Sequence, residues 1–240
     1  MTFDRQGLIL CSSYAFAPNS LHYCGPERQN DMLEYVRSAE ADGGLAGLLN
    51  RFETLYPYLV LIASANHIKD PFDRRVVEAY WLGNTLLRRV KTTAFVNHLT
   101  DTLELKKKVP KGKFTPMMDA IVSGVPQHNF HVMNIFFRTG HHAVPQTIST
   151  MDNCRISWGR VIGMTHPQYL VETQSLMYQD KRLQLGKREK KVVVSMSVTP
   201  KTGDWVSIHW GYVCDILSWR QLTLLKKYTT LALATAVRVI

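Results

Sequence analysis

The chain is short of cysteine and has no C-x-x-C pair: Cys11, Cys24, Cys154 and Cys214 are scattered over 240 residues. That spacing argues against both a disulfide framework and a zinc site built from one local stretch of chain. Long apolar runs are missing as well. The longest, Tyr56 to Ala65, is too short to span a bilayer. The start, Met1-Thr2-Phe3-Asp4-Arg5, lacks the basic and apolar parts of a secretory signal. Together these absences predict a soluble, cytoplasmic protein with no membrane partner. No nucleophile elbow, P-loop, dinucleotide fingerprint or H-E-x-x-H is present, so a nucleotide cofactor has no support. Acidic residues are few, 19 against 29 basic, for a formal charge of +10. Much of the excess sits in Lys106–Lys113 and Lys181–Lys191, which read as an interhelical loop and a hairpin tip. Neither run interleaves aromatics with its basic residues, as base-stacking surfaces do, which argues against nucleic acid. An acidic protein partner stays open.

What remains is an ordinary globular composition, 45% hydrophobic and 20% charged. A chain of this length buries about 70% of its unfolded surface, in one large domain or two small ones. Leu45, Leu48, Leu49 and Phe52 recur at helical spacing and lead into the Tyr56–Ala65 run. Asn66 to Pro71 breaks that helix, and Asp73 is placed to cap another containing Val76, Val77, Tyr80, Trp81 and Leu87. A further helix is predicted around Thr92–Leu105. Near residue 150 the period changes. Residues 155–165, 169–178, 190–199 and 205–213 read as short strands divided by Pro, Gly and Asp turns. Ser218 then caps a helix with Leu224, Leu225, Tyr228, Leu231 and Ala232 on one face. The predicted class is α+β: a mainly helical domain over 1–150, then a small OB-like β-barrel with a C-terminal helix over 151–240.

Three groups of residues could carry chemistry. The first is Cys154, opening Cys154-Arg155-Ile156-Ser157-Trp158-Gly159-Arg160-Val161, together with His209 in Gly203-Asp204-Trp205-Val206-Ser207-Ile208-His209-Trp210-Gly211. A thiolate is a ligand for soft or borderline metals, and Arg155 and Arg160 could supply the field that keeps it charged. A buried strand cysteine and a hydrogen-bonding strand histidine fit the same residues. The second group is His128, His131, His141 and His142, four histidines within fifteen residues. They suit metal or anion binding, or C-terminal helix capping. The third is Cys24, two residues after His22 in an irregular loop rich in Pro and Gly.

The spacings C-x4-G-R-V and G-D-W-V-x-I-H-x-G resemble those of the HypC/HupF family of [NiFe]-hydrogenase assembly chaperones, over roughly residues 153–240. The resemblance implies a barrel with a terminal helix, and a carrier that holds an iron fragment transiently through Cys154 with His209 as second contact. Arg155, Trp158 and Arg160 would then be binding residues beside the thiol. The implied partners are a HypD-type scaffold and a hydrogenase large-subunit precursor. Cys154 is internal here, preceded by Met151-Asp152-Asn153, whereas the family's cysteine becomes N-terminal. Two other readings remain: a metal-dependent enzyme with its histidine-rich site, including Cys24, between the two domains, and a non-catalytic interaction protein on the same barrel.

Overall fold

The computed structural model describes residues 3–109, 114, 118, 121–136 and 147–236. His141, His142 and residues 110–113 of the first basic run lie outside them.

Helix α1 (Arg5–Ser20) starts where the Asp4 carboxylate accepts from the Gln6 and Gly7 N–H groups. Twelve of its sixteen residues are buried, so it has no polar stripe and runs through the interior of the fold. Around it stand α2 (Gln29–Ser38), α3 (Gly43–Leu49), α4 (Leu55–Ala65) and α5 (Arg74–Trp81). Asp42 and Asp73 cap α3 and α5 through their carboxylates. The second helix of the sequence reading is shorter than predicted. It stops at Trp81, and Leu87 belongs to a separate 3₁₀ turn, Thr85–Arg89, capped by Asn84. The stop is Gly83, whose N–H bonds back to the Glu78 carbonyl from a left-handed φ of +90°.

A methyl group on Gly83 would lie 2.0 Å from the Tyr228 ring, in a conformation already unfavourable for a side chain. Gly83→Ala should therefore cost about 2–4 kcal/mol in chemical denaturation. A loss below 1 kcal/mol would show that the ring can step aside.

The predicted helix around Thr92–Leu105 is broken. It comprises α6 (Thr92–Asn97), a π-turn (His98–Thr102) and α7 (Leu105–Lys108). Helix α8 (His128–His131) is a single turn continued by a π-turn, Val132–Phe136. Helix α9 (Ile148–Cys154) is nucleated by a Thr147/Thr150 capping box. Cys154 thus ends a helix and does not open a strand, because that box sets helical geometry up to the residue before Arg155.

Five strands follow: β1 (Ser157–Thr165), β2 (Gln168–Gln179), β3 (Arg182–Ser195), β4 (Trp205–His209) and β5 (Tyr212–Ile216). They close in the order β1-β2-β3-β5-β4, antiparallel throughout except for the parallel pair β3–β5. Val161, Tyr169, Val171, Val193, Val206, Ile208 and Val213 fill the interior, the inward members of alternating strands. Two hairpins turn on residue pairs with positive φ, Asp180-Lys181 (52° and 59°) and Trp210-Gly211 (51° and 79°). These are the signs a two-residue type I′ loop needs. The second basic run is accordingly not a hairpin tip: only Lys181 turns the chain, and Arg182–Lys191 lie along β3.

Helix α10 (Trp219–Ala236) begins at Ser218, whose hydroxyl accepts from the Gln221 N–H while its own N–H donates to the Gln221 side chain. It buries Leu222, Leu225, Tyr228, Thr229, Ala232 and Ala236, a helical-period stripe. Each such leucine contributes about 1.5–3 kcal/mol. The stripe faces α8 and the π-turn after it: Asn129 donates to Thr229, and Asn134 to the Ala232 carbonyl. One hydrophobic cluster runs without a break from α1 through the other helices to Ile156, Trp158 and α10. The class is therefore α+β, a helical region followed by a five-stranded ring and a C-terminal helix. Among the described residues no helix is long and apolar enough to cross a membrane.

Candidate metal centre

Two buried joints set the site where the helical region meets the ring. Asn129, on α8, accepts from the Ile156 N–H at 2.7 Å and donates to the Ile156 carbonyl at 2.8 Å, pairing with backbone as a strand would. This places His128 beside Cys154, whose carbonyl lies 2.8 Å from His128 Nε2. On the other side the Tyr14 hydroxyl bonds Ser207 at 2.8 Å, and His209 Nδ1 meets the Tyr14 carbonyl at 2.8 Å. The Trp210 N–H donates to the Asn153 carbonyl, tying the β4–β5 turn to the end of α9.

As a result His128, Cys154 and His209 each offer a ligand atom, and all three atoms lie within 4.8 Å of one another. They come from three elements far apart in sequence: the start of α8, the end of α9 and the end of β4. Trp81 packs against both imidazoles, with ring centroids 4.6 Å from His128 and 5.6 Å from His209, and stacks on Tyr14 at 5.1 Å. A carbonyl can only accept, so His209 carries its proton on Nδ1. Its Nε2 is a lone pair, buried and outside ordinary hydrogen-bond geometry, with the Cys154 backbone as its polar neighbour. An imidazole oriented through one nitrogen, with the other unprotonated, is the arrangement of a metal-ligating histidine. His128 bonds the Tyr80 hydroxyl through Nδ1 at 3.2 Å as well as the Cys154 carbonyl through Nε2, so ligation would exchange one of these bonds for the metal.

A cavity of about 70 Å³ adjoins the three residues and is also lined by Tyr23, Cys24, His131 and Trp210. Cys24 and His131 thus share the cavity with the three, while His131 is held on the Tyr58 hydroxyl at 2.9 Å. The structure does not bring Arg155, Trp158 or Arg160 to it. Arg155 is buried in an ion pair with Asp152 and donates to the Gln174 carbonyl. Trp158 packs among the Arg155 and Lys226 cations, and Arg160 is exposed on β1. Neither arginine therefore supplies a field at the Cys154 thiol, and burial pushes it up to about 12. Tyr14, Tyr80, Trp81 and Asn129 escape a sequence reading because three act as aromatic packing or through backbone. A dense Tyr80-Trp81 pair and a polar Asn129 between His128 and Phe130 were the available signals.

Burial also depresses the histidines. His209 falls to about 4, His98 to about 4 and His131 to about 3, and His128 lies well below its ordinary value. Between those values and about 6.5 the unfolded chain binds protons that the folded chain refuses, so stability falls as pH is lowered through that window. It is unaffected by these groups above pH ~7. For metal-free protein we expect urea midpoints to drop steeply between pH 6.5 and 4, with roughly 1 kcal/mol per pH unit for each histidine. A flat profile would show that the imidazoles are solvated.

Fold and site thus define an α+β protein with a small closed barrel and a possible buried His/Cys/His metal group where the barrel meets the helices. The chain belongs to a family of unknown function (DUF6390), which matches residues 3–239. No curated protein and no solved structure matches it. The family spans helical region and barrel together, which overturns the HypC/HupF resemblance over 153–240. The shared spacings have a local physical origin. A Cβ on Gly159 would meet Val171 and Ile208 at 3.0–3.1 Å, Gly203-Asp204 forms a turn closed by the Lys201 N–H on the Asp204 carboxylate, and Gly211 completes a type I′ loop. Small barrels demand glycine at such places whatever their ancestry.

Proposed function

We propose that this protein binds one transition-metal ion through His128, Cys154 and His209. The observation that carries the reading is the convergence of the buried His209 imidazole with a thiol and a second imidazole from separate elements, their ligand atoms within 4.8 Å of one another. Sulfur and imidazole donors suit zinc, copper and iron, and disfavour magnesium and calcium. Closing a tetrahedral shell would draw the ligand atoms from within 4.8 Å to roughly 3.4–3.6 Å of one another. That is a movement side chains can make.

The role is binding and not hydrolysis. Among the described residues no carboxylate lines the cavity, and the imidazole left beside the centre, His131, is engaged by the Tyr58 hydroxyl. The open space beside the three residues, about 70 Å³, has room for a few waters. The iron-carrier role, the HypD-type scaffold and the large-subunit precursor followed from the resemblance alone, and nothing else supports them. Calorimetric titration of metal-free protein tests the proposal. Zinc should bind one to one and magnesium not at all. Equal, weak response to both would defeat it.

A further inference from the structure

The centre has three ligands, and a tetrahedral ion needs a fourth. We infer that the fourth is the Cys24 thiol, which makes this a closed Cys₂His₂ zinc site. The inference rests on the metal-binding reading above and extends it to a residue on a fourth segment, the loop between α1 and α2.

Among the described residues lining the cavity, the thiols and imidazoles are Cys24, His128, His131, Cys154 and His209. Three already form the cluster. His131 is held by Tyr58, which does not line the cavity, and His131 leads into the Val132–Phe136 π-turn. Cys24 is the donor left over. Cys24 lies outside the group of ligand atoms within 4.8 Å of one another but on the wall of the same cavity, so its thiol must move toward an ion held by the other three for the shell to close.

The loop is built to hold that thiol in place. Asn19, fully buried at the end of α1, donates to the carbonyls of both Cys24 and Pro26, at 3.0 and 2.8 Å. The Tyr23 N–H bonds the Pro18 carbonyl, and the Tyr23 ring packs on Trp210 with centroids 4.8 Å apart. Gly25, at φ +83°, lies so close to Phe52 that a Cβ would stand 2.3 Å from its ring. A loop pinned on both sides of one cysteine, against another wall of the cavity, is what a preorganised ligand needs. Burial raises both thiols in the metal-free protein, Cys24 and Cys154 alike, so neither is a free thiolate waiting for oxidation. On binding, each sulfur gives its proton to solvent and forms a bond to the metal.

A closed shell makes the ion a structural staple. It would tie the α1–α2 loop, α8, α9 and β4 at one point, joining the helical region to the barrel.

Cobalt(II) in place of zinc reports the sulfur count, because the thiolate-to-metal charge-transfer absorbance scales with the number of thiolates. In Cys24→Ser the band should fall to about half, with affinity weaker by about a hundredfold. In the wild type, zinc should protect both Cys24 and Cys154 from alkylation, which tests the inference even if the variant folds poorly. An unchanged band, or protection of Cys154 alone, would overturn the inference and leave a three-ligand centre standing. Failure of the wild type to bind either metal would overturn both.

Discussion

Alanine in place of His209 is expected to weaken zinc binding about a hundred- to a thousandfold. A structural zinc site is worth about 10–16 kcal/mol in all, so one of its ligands accounts for roughly 3–4 kcal/mol. His209 is the ligand least replaceable by rearrangement. Its Nδ1 is fixed on the Tyr14 carbonyl and its ring lies 5.2 Å from that of His128 and 5.6 Å from that of Trp81. The effect also reads out as stability. At a zinc concentration a thousand times its Kd, the wild type should gain about 4 kcal/mol by mass action. His209→Ala and Cys154→Ala should gain little. Without metal, His209→Ala also leaves the Tyr14 carbonyl without its donor, a cost of about 1–3 kcal/mol. The informative quantity is thus the zinc-dependent difference, measured by denaturation with and without metal. Variants that retain the full zinc-dependent gain would remove these residues from the site.

Asp152→Ala is expected to be the most damaging single change outside the centre, at about 3–5 kcal/mol. Arg155 is almost fully buried, at 1% side-chain exposure, and Asp152 is its counter-ion at 2.8 Å. The same carboxylate accepts from the Leu176 N–H at 2.8 Å and meets Lys191 at 3.2 Å. Burial acts to raise the Asp152 carboxyl, but Arg155, the Leu176 N–H and Lys191 outweigh it and hold it below the usual range. Its contribution is present above the unfolded value near 4 and is lost as pH falls through the lower folded value. Removing the carboxylate strands a buried guanidinium, a larger penalty than the pair's net worth. For a chain of this size the melting temperature should fall by roughly 6–20 °C. Since Asp152 lies two residues before Cys154, zinc affinity should fall with it. Arg155→Met together with Asp152→Leu should recover most of the stability. A fall of less than 1 kcal/mol in Asp152→Ala would mean that water reaches Arg155.

Strands β1 and β2 and helix α10 were legible because their burial is one-sided, whereas 205–213 read as one strand across the Trp210-Gly211 turn that divides β4 from β5, and the charged first half of β3 read as a hairpin tip. Alternating β-branched residues and the Leu222–Ala236 stripe show their period directly. Helix α1 was not, since nearly every face of it is buried and an all-round apolar helix carries no period. The helix ending at Cys154 was hidden by apolar strand residues immediately after it. Its start signal, Thr147 and Thr150, is a pair of hydroxyls rather than the usual acidic partner. For the site, Cys24, His128, His131, Cys154 and His209 could be picked out by residue type, but not their common cavity. What gathers them is Asn129 on the Ile156 backbone and the Tyr14 carbonyl on His209. Backbone acceptors leave no trace in a sequence.

X-ray absorption at the zinc edge of the metal-loaded protein tests the central claim most directly. The account predicts sulfur at about 2.3 Å together with imidazole nitrogen at about 2.0–2.1 Å, the sulfur component being lost or reduced in Cys154→Ala. A shell of oxygen and nitrogen only, unchanged by that substitution, would contradict it.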